Sequence, residues 1–409
     1  MPRHGFLPRW PATEWSIRGL LAVIAVVLGY ISVVQTLAYP LRQRNAERAH
    51  ALAPYDGRIT AQLATSLSGA NATAGDRQRA DRLARTALRQ DPTAVAAVST
   101  LGINAQIRGE TARARRLFTY SLALSRRHLQ TRLWAIEDAV GRDDISGALR
   151  HYDIALRTSR SAPDVLFPVL RSAADDPAIR VALVKTLADK PDWAAAFVYY
   201  MASGDADPRE TAKHFVALRR TGVPIPQEVT AWVVAGLASR NLTDAAWSYY
   251  ASVRPAADRR ASRDFDFTAD LTSPTPFDWT PVNDAGVTTS IQRDGKGGVF
   301  DFAASPSVGG PLLQQTQMLP PGEYRLLGRS IGIEQPERSR PYWALNCHDG
   351  RELGRVEMPN SAQANGVFGG RFSVPAGCPV QTLLLVARPS DSVSGVAGQI
   401  DQVRLYPDR

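Results

Sequence analysis

The spacing of apolar positions changes twice along the chain. From Gly19 to Tyr39 they are nearly continuous: "GLLAVIAVVLGYISVVQTLAY" holds 21 residues without a charge. That length of helix spans the hydrocarbon layer of a bilayer. From about residue 61, small and apolar residues recur at i, i+4 and i+7, which is one face of a helix. Ala80, Ala84 and Ala87 set the pattern, a shift of 34 residues brings it onto Ala114, Phe118 and Ser121, and a second shift onto Ala148, Tyr152 and Ala155. Small residues at these places let neighbouring helices approach closely. After "SVRPAADRRASRDFDF" the period drops to two. Short runs such as "VTTSIQ", "GVFDFA", "EYRLLGRSI", "YWALNC", "TLLLVA" and "QIDQVRLY" alternate between Gly, Pro, Asn and Asp clusters, which predicts an antiparallel sandwich. "RDGKGG" between the first two runs predicts a hairpin turn.

The helical part resembles the tetratricopeptide repeat, a 34-residue helix hairpin with a small-large-small signature in its second helix and often a closing Pro. Repeats fall at 61–94, 95–128 and 129–162, with Pro92 in the closing place and Leu101-Gly102 where the first helix meets its partner. Arg126 and Arg160 replace the later prolines, and Val98 and Arg132 stand where an aromatic is frequent. Weaker hairpin patterns continue to about residue 257, since "DPAIRVALVKTLADKPDW" and "PQEVTAWVVAGLASRNLTDAAW" keep helix-length apolar runs broken by caps and stops. The resemblance implies a concave groove faced by Ser99, Ile103, Gln106, Gln130, Leu133 and Glu137, able to dock an extended protein segment. The same mixture suits water or the next helix of the array.

The C-terminal part resembles the galactose-binding-like jelly rolls that include many carbohydrate-binding modules. "PFDWTP", "LLQQTQMLPPGEYRLLGRS", "FSVPAGCP" and "GQIDQVRLY" carry the resemblance over about 264–409. It implies a jelly roll and, for some members, a sugar ligand. Alternation in "YWALNC" sends Trp343, Leu345 and Cys347 to the core and leaves Tyr342 and Asn346 outward as glycan contacts. Trp279 either seals the sandwich edge or stands in a loop site. Asp401 and Asp270 are either solvated carboxylates or ligands of a structural Ca²⁺ of the kind found in relatives. No metal is assigned.

The net charge of +9 comes almost wholly from Arg, since Lys185, Lys190, Lys213 and Lys296 are the lysines. The arginines are spread rather than blocked with aromatics, which argues against nucleic acid. Arg3, Arg9 and Arg18 before the apolar segment balance Arg42, Arg44 and Arg48 after it, so flanking charge gives no orientation. The segment exceeds the apolar core of a signal peptide and is taken as an uncleaved anchor. Cys347 and Cys378 fall in one all-β domain and read as a disulfide, which places the bulk outside the cytoplasm; the alternative is two buried thiols. No phosphate loop, dinucleotide glycine pattern, Gly-x-Ser-x-Gly or His-Glu-x-x-His occurs, and the six histidines lack ligand spacing.

The expected architecture is multidomain: tail 1–18, transmembrane helix 19–39, linker 40–60, α-solenoid 61–257 and β-sandwich 258–409. The expected role is a non-catalytic, cofactor-free scaffold of the inner membrane, single-pass with its bulk periplasmic. Its repeats would dock a protein partner and its sandwich would touch a glycan in cell-surface polysaccharide assembly or export. The alternatives are a glycan-active enzyme with carboxylates on the sandwich loops, or a purely protein-binding module.

Overall fold

The computed structural model describes residues 12–204, 207–293, 297–363, 365–390 and 393–408. Arg3 and Arg9 of the expected tail, and the centre of the "RDGKGG" turn at 294–296, lie outside the described residues. Fourteen helices precede ten strands among the described residues, and the chain divides into two compact units, Met1–Leu170 and Arg171–Arg409.

The first unit opens with α1 (Ala12–Arg44), 33 residues long. At 1.5 Å per residue it extends about 50 Å, and its apolar side chains, such as Leu20 and Val26, are exposed. It is long and apolar enough to cross a membrane. Its last turns pack Ala38 against Ala49 and Ala53, beside α2 (Ala46–Leu52), and Ile59 of α3 (Gly57–Ser66). Three helix pairs follow the predicted 34-residue period: α3 with α4 (Ala74–Gln90), α5 (Val95–Ile107) with α6 (Thr111–Leu124), and α7 (Leu129–Val140) with α8 (Ile145–Thr158). The nine residues that carry the period are all buried, three each on α4, α6 and α8. The small residues serve close packing, as reasoned from spacing. Gly102 shows why: a Cβ there would lie 2.9 Å from the Phe118 ring. Thr73 starts α4 with a reciprocal capping box to Asp76. Where an aromatic was missing from the repeat pattern, Arg132 lies buried and donates to the Arg126 carbonyl and to Nδ1 of His151. α9 (Ala162–Ala173) leads into the second unit.

The second unit begins with α10 (Pro177–Ala188), α11 (Ala194–Ala202), α12 (Pro208–Arg220), α13 (Gln227–Ser239) and α14 (Thr243–Val253). Asp176-Pro177 and Asp207-Pro208 start α10 and α12, with each carboxylate capping a backbone N–H and each Pro in the first turn. The sandwich then comprises β1 (Thr280–Pro281), β2 (Val287–Arg293), β3 (Gly298–Ala304), β4 (Gly310–Gln317), β5 (Gly322–Ile331), β6 (Tyr342–Cys347), β7 (Glu352–Glu357), β8 (Val367–Val374), β9 (Gln381–Ala387) and β10 (Val396–Pro407). Two five-stranded antiparallel sheets, ordered β1-β4-β9-β6-β7 and β2-β3-β10-β5-β8, face each other as in a jelly roll. Alternate residues of both fill one core, with Trp343, Leu383, Leu385, Phe300, Phe302, Phe372 and Val403 at its centre. β2 and β3 pair antiparallel with Arg293 opposite Gly298, on either side of the expected hairpin turn.

Cys347 and Cys378 are bonded, with Cα atoms 5.7 Å apart, and pin the end of β6 to the loop entering β9. Closing a loop of 31 residues contributes roughly 3–4 kcal/mol by chain entropy.

His214 on α12 is buried, neither ring nitrogen has a hydrogen-bond partner among the described residues, and burial next to the Arg180 charge lowers its pKa from 6.5 to about 4. Unfolded, the ring takes its proton near pH 6.5. The unfolded chain therefore binds more protons between the two values, so this contribution to stability is whole above pH 6.5 and falls as pH drops toward 4. The full effect is on the order of 3 kcal/mol. Urea unfolding of the second unit, followed from pH 7 to pH 4, is expected to show this loss, and His214→Phe to remove most of it.

Candidate functional site

Of the residues expected to face a groove on α5 and α7, Ser99 has no access to one. Ser99 is fully buried with its hydroxyl unpartnered, because α5 packs against α3, α4 and α6 and has no free face at that position. Ile103 packs onto the cluster of Ala105, Ala114 and Phe118. Gln106, Gln130 and Glu137 are exposed and Leu133 is half-buried. The polar feature missed here is internal: Asn104 donates to Asp81 at 2.7 Å and Arg108 joins the same carboxylate at 3.2 Å, locking α4 to α5.

On the sheet containing β6, alternation places residues as the sequence implies. Trp343, Leu345 and Cys347 are core, while Tyr342 and Asn346 share the outer face. The Tyr342 ring is not a free platform. The guanidinium carbons of Arg355, on β7, and Arg388, just after β9, both lie 4.5 Å from its centroid. Each cation is held there by a carboxylate, Arg355 by Glu352 and Arg388 by Glu357. Cations over a ring are favourable in their own right, so this π surface is already engaged. Asn346 is half-buried, and its Oδ1 has no partner in the protein. Trp279 belongs to the core: it is 2% exposed, donates from Nε1 to the Asp264 carbonyl at 3.0 Å, and packs against Phe267 and Trp343. It has no face left for a ligand.

The outer face of the other sheet carries a built groove. An open cavity of about 510 Å³ is lined by Gln292, Val299, Arg329, Gln399, Asp401 and Gln402, with Asp266, Arg293 and the Gly297–Gly298 backbone on its rim. A second cavity of about 480 Å³, bounded by Phe265, Leu327, Arg404 and Tyr406, shares Arg329 and Gln402 with the first. The two form one depression running across β3, β10 and β5.

Two local features produce it. The pairing of β10 with β5 shifts register between Ile400 and Gln402, a bulge that turns both Asp401 and Gln402 outward. β3 pairs with β10 only as far as Ile400, and beyond it the 262–266 segment takes over as neighbour. Ser262 N donates to the Leu405 carbonyl, Val403 N to the Phe265 carbonyl and Gly298 N to the Asp266 carbonyl. Asp264 and Phe267, on either side of Phe265 and Asp266, take φ of 52° and 55°, left-handed values that cost energy for residues with a Cβ. The strain is held by the core contacts of Phe267 and by Arg263, and it leaves Phe265 44% exposed over the groove.

Arg263 is 8% exposed and donates twice to the Phe277 carbonyl, to Gln317 Oε1 at 2.8 Å and to the Thr316 carbonyl. Burial lowers its pKa to about 10, so it stays charged at neutral pH. Beside it, Tyr250 of α14 donates to Asp278 at 2.7 Å, and the second oxygen of that carboxylate accepts from the amide and hydroxyl of Thr275.

Asp401, weighed from sequence as a solvated carboxylate or a Ca²⁺ ligand, is instead an ion-pair partner. Arg329 Nε reaches its Oδ2 at 2.7 Å, and Oδ1 has no donor among the described residues. That contact raises the pKa of Arg329. Asp270 is exposed, and its backbone carbonyl accepts from Gln227. Groups of three or more His, Cys, Asp or Glu side chains able to hold a metal do not occur among the described residues. Alternation about Ile400 in "GQIDQVRLY" could have marked Gln399 as outward and alternation about Leu405 could have marked Arg404; the two settings differ by one residue, which the bulge at Asp401 reconciles, and the crossing segment has no sequence signal of comparable strength.

No family model matches the chain, and no curated protein matches it. Solved structures match in part. A carbohydrate-binding module of lichenase 5A from Cellvibrio mixtus, in complex with cellotriose, is 11% identical over 31% of this chain and 91% of its own, with a TM-score of 0.21. A module in complex with β-1,4-galactotriose is 13% identical over 37% and 97%, with a TM-score of 0.24. Human IFIT1 is 16% identical over 52% and 57%, with a TM-score of 0.27. The chain spans 18% of the enzymatically active domain of a bacteriophage CBA120 tailspike protein. Scores this low carry no functional weight.

Replacing Arg263 by Ala or Lys leaves several buried acceptors without donors. Each change is expected to cost roughly 3 kcal/mol in urea unfolding. A Lys that restored full stability would show that the fork geometry is dispensable.

Proposed function

We propose that the protein is a membrane-anchored, non-catalytic scaffold whose sandwich binds a glycan in the groove over β3, β10 and β5. The observation that carries this reading is the groove: amides, a carboxylate–guanidinium pair and exposed ring edges converge on one open depression, the mixture that orients sugar hydroxyls. The most enclosed carboxylate there, Asp401, is tied to Arg329, an arrangement that suits a hydrogen-bond acceptor better than a proton donor. The disulfide supports an oxidising compartment, and an apolar run longer than a signal peptide's apolar core supports an anchor. Together they favour an inner-membrane protein with its bulk in the periplasm, acting in the assembly or export of a surface polysaccharide. The helical hairpins would supply the surface for a protein partner, with exposed Gln106, Gln130 and Glu137 as its polar contacts.

The test is calorimetric binding of neutral oligosaccharides to the full chain in detergent. Gln402→Ala and Gln292→Ala each remove an exposed amide from the groove and are expected to weaken binding about five- to tenfold. Tyr342→Ala is expected to change it less than twofold. Binding lost in Tyr342→Ala and kept in both glutamine variants would move the site to the opposite sheet.

A further inference from the structure

At the end of the groove nearest β8, guanidinium charge exceeds carboxylate charge. Arg325 on β5 stands directly opposite Arg371 on β8 and, across its other edge, opposite Tyr406 on β10. Like charges directly opposite one another in a sheet are destabilising. Arg371 is neutralised by Asp408 at 2.6 Å, as Arg329 is by Asp401. Arg325 and Arg404 have no acidic partner within 4 Å among the described residues, and Glu323, two residues back on the same face of β5, reaches neither. Arg404 lies over the Phe265 and Tyr406 rings, 5.9 and 5.5 Å from their centroids, which aims a guanidinium along the cavity wall. Arg404 thus lines the open cavity beside the exposed Phe265 ring, and Arg325 stands next to it, opposite Tyr406 on the cavity's edge.

Resting on the glycan reading above, we infer that the saccharide held here is acidic, with a sugar carboxylate of the uronic-acid type met by Arg325 and Arg404. A planar carboxylate matches the guanidinium fork and replaces the missing counter-charge. The neutral part of the chain would lie toward Gln292 and Gln399, where cations and carboxylates balance.

The experiment compares the affinity of the full chain in detergent for polygalacturonate, for a neutral β-glucan and for dextran sulfate at two salt concentrations, in the wild type and in Arg325→Gln, Arg404→Gln and the double variant. The expected result is at least tenfold preference for polygalacturonate over the neutral polymer. That preference should fall to about one in the double variant and be stronger than the preference for dextran sulfate. Equal affinity for neutral and acidic polymers overturns the inference and leaves the glycan reading standing. Preference for dextran sulfate over the uronate, or a uronate preference untouched by the double variant, overturns it in favour of diffuse surface charge. Binding of no polymer overturns both.

Discussion

The buried guanidinium of Arg263 is the contact on which the sandwich site depends. It lies between the end of α14 and the sheets, and its donors satisfy buried carbonyls and a side-chain amide oxygen. With those bonds made, the next residues have one path: a left-handed turn at Asp264, Phe265 against β10, Asp266 against β3, and a second left-handed turn at Phe267 into the core. The groove wall is therefore fixed from below. An uncharged residue at 263 would leave the acceptors orphaned, and a mobile one would let the strained segment relax away from β10.

The two outer faces of the sandwich differ in how their charges are settled. On the β6 side, the arginines around Tyr342 each meet a glutamate within the same sheet, so the face is internally complete. On the β10 side the pairing is partial and follows a gradient, balanced near Gln399 and unbalanced near Arg404. A ligand gains most where the protein has left donors and charges unmatched.

Much of the fold was legible because periodicity records burial. The 34-residue recurrence of small residues marked three helix pairs, and alternation in "YWALNC" separated Trp343 from Tyr342. The site was less legible. Tyr342 looked available because the cations that cover it come from β7 and from beyond β9, far away in sequence. Trp279 looked ambiguous because its partner, the Asp264 carbonyl, sits on a segment with no regular period. Ser99 looked exposed because a groove was imposed on a helix that neighbours cover on three sides. A one-residue bulge turned Asp401 and Gln402 to the same face, and its trace in the sequence is one adjacent polar pair where the inward positions change parity between Ile400 and Val403.

Which sheet face meets the ligand decides the account. Amide hydrogen exchange of the full chain, with and without a saturating bound oligosaccharide, reads this without substitutions. Slowed exchange in the 264–267 segment and along 399–404, with 342–346 unchanged, is the predicted result. Slowed exchange confined to 342–346 and its neighbours on β7 would contradict it.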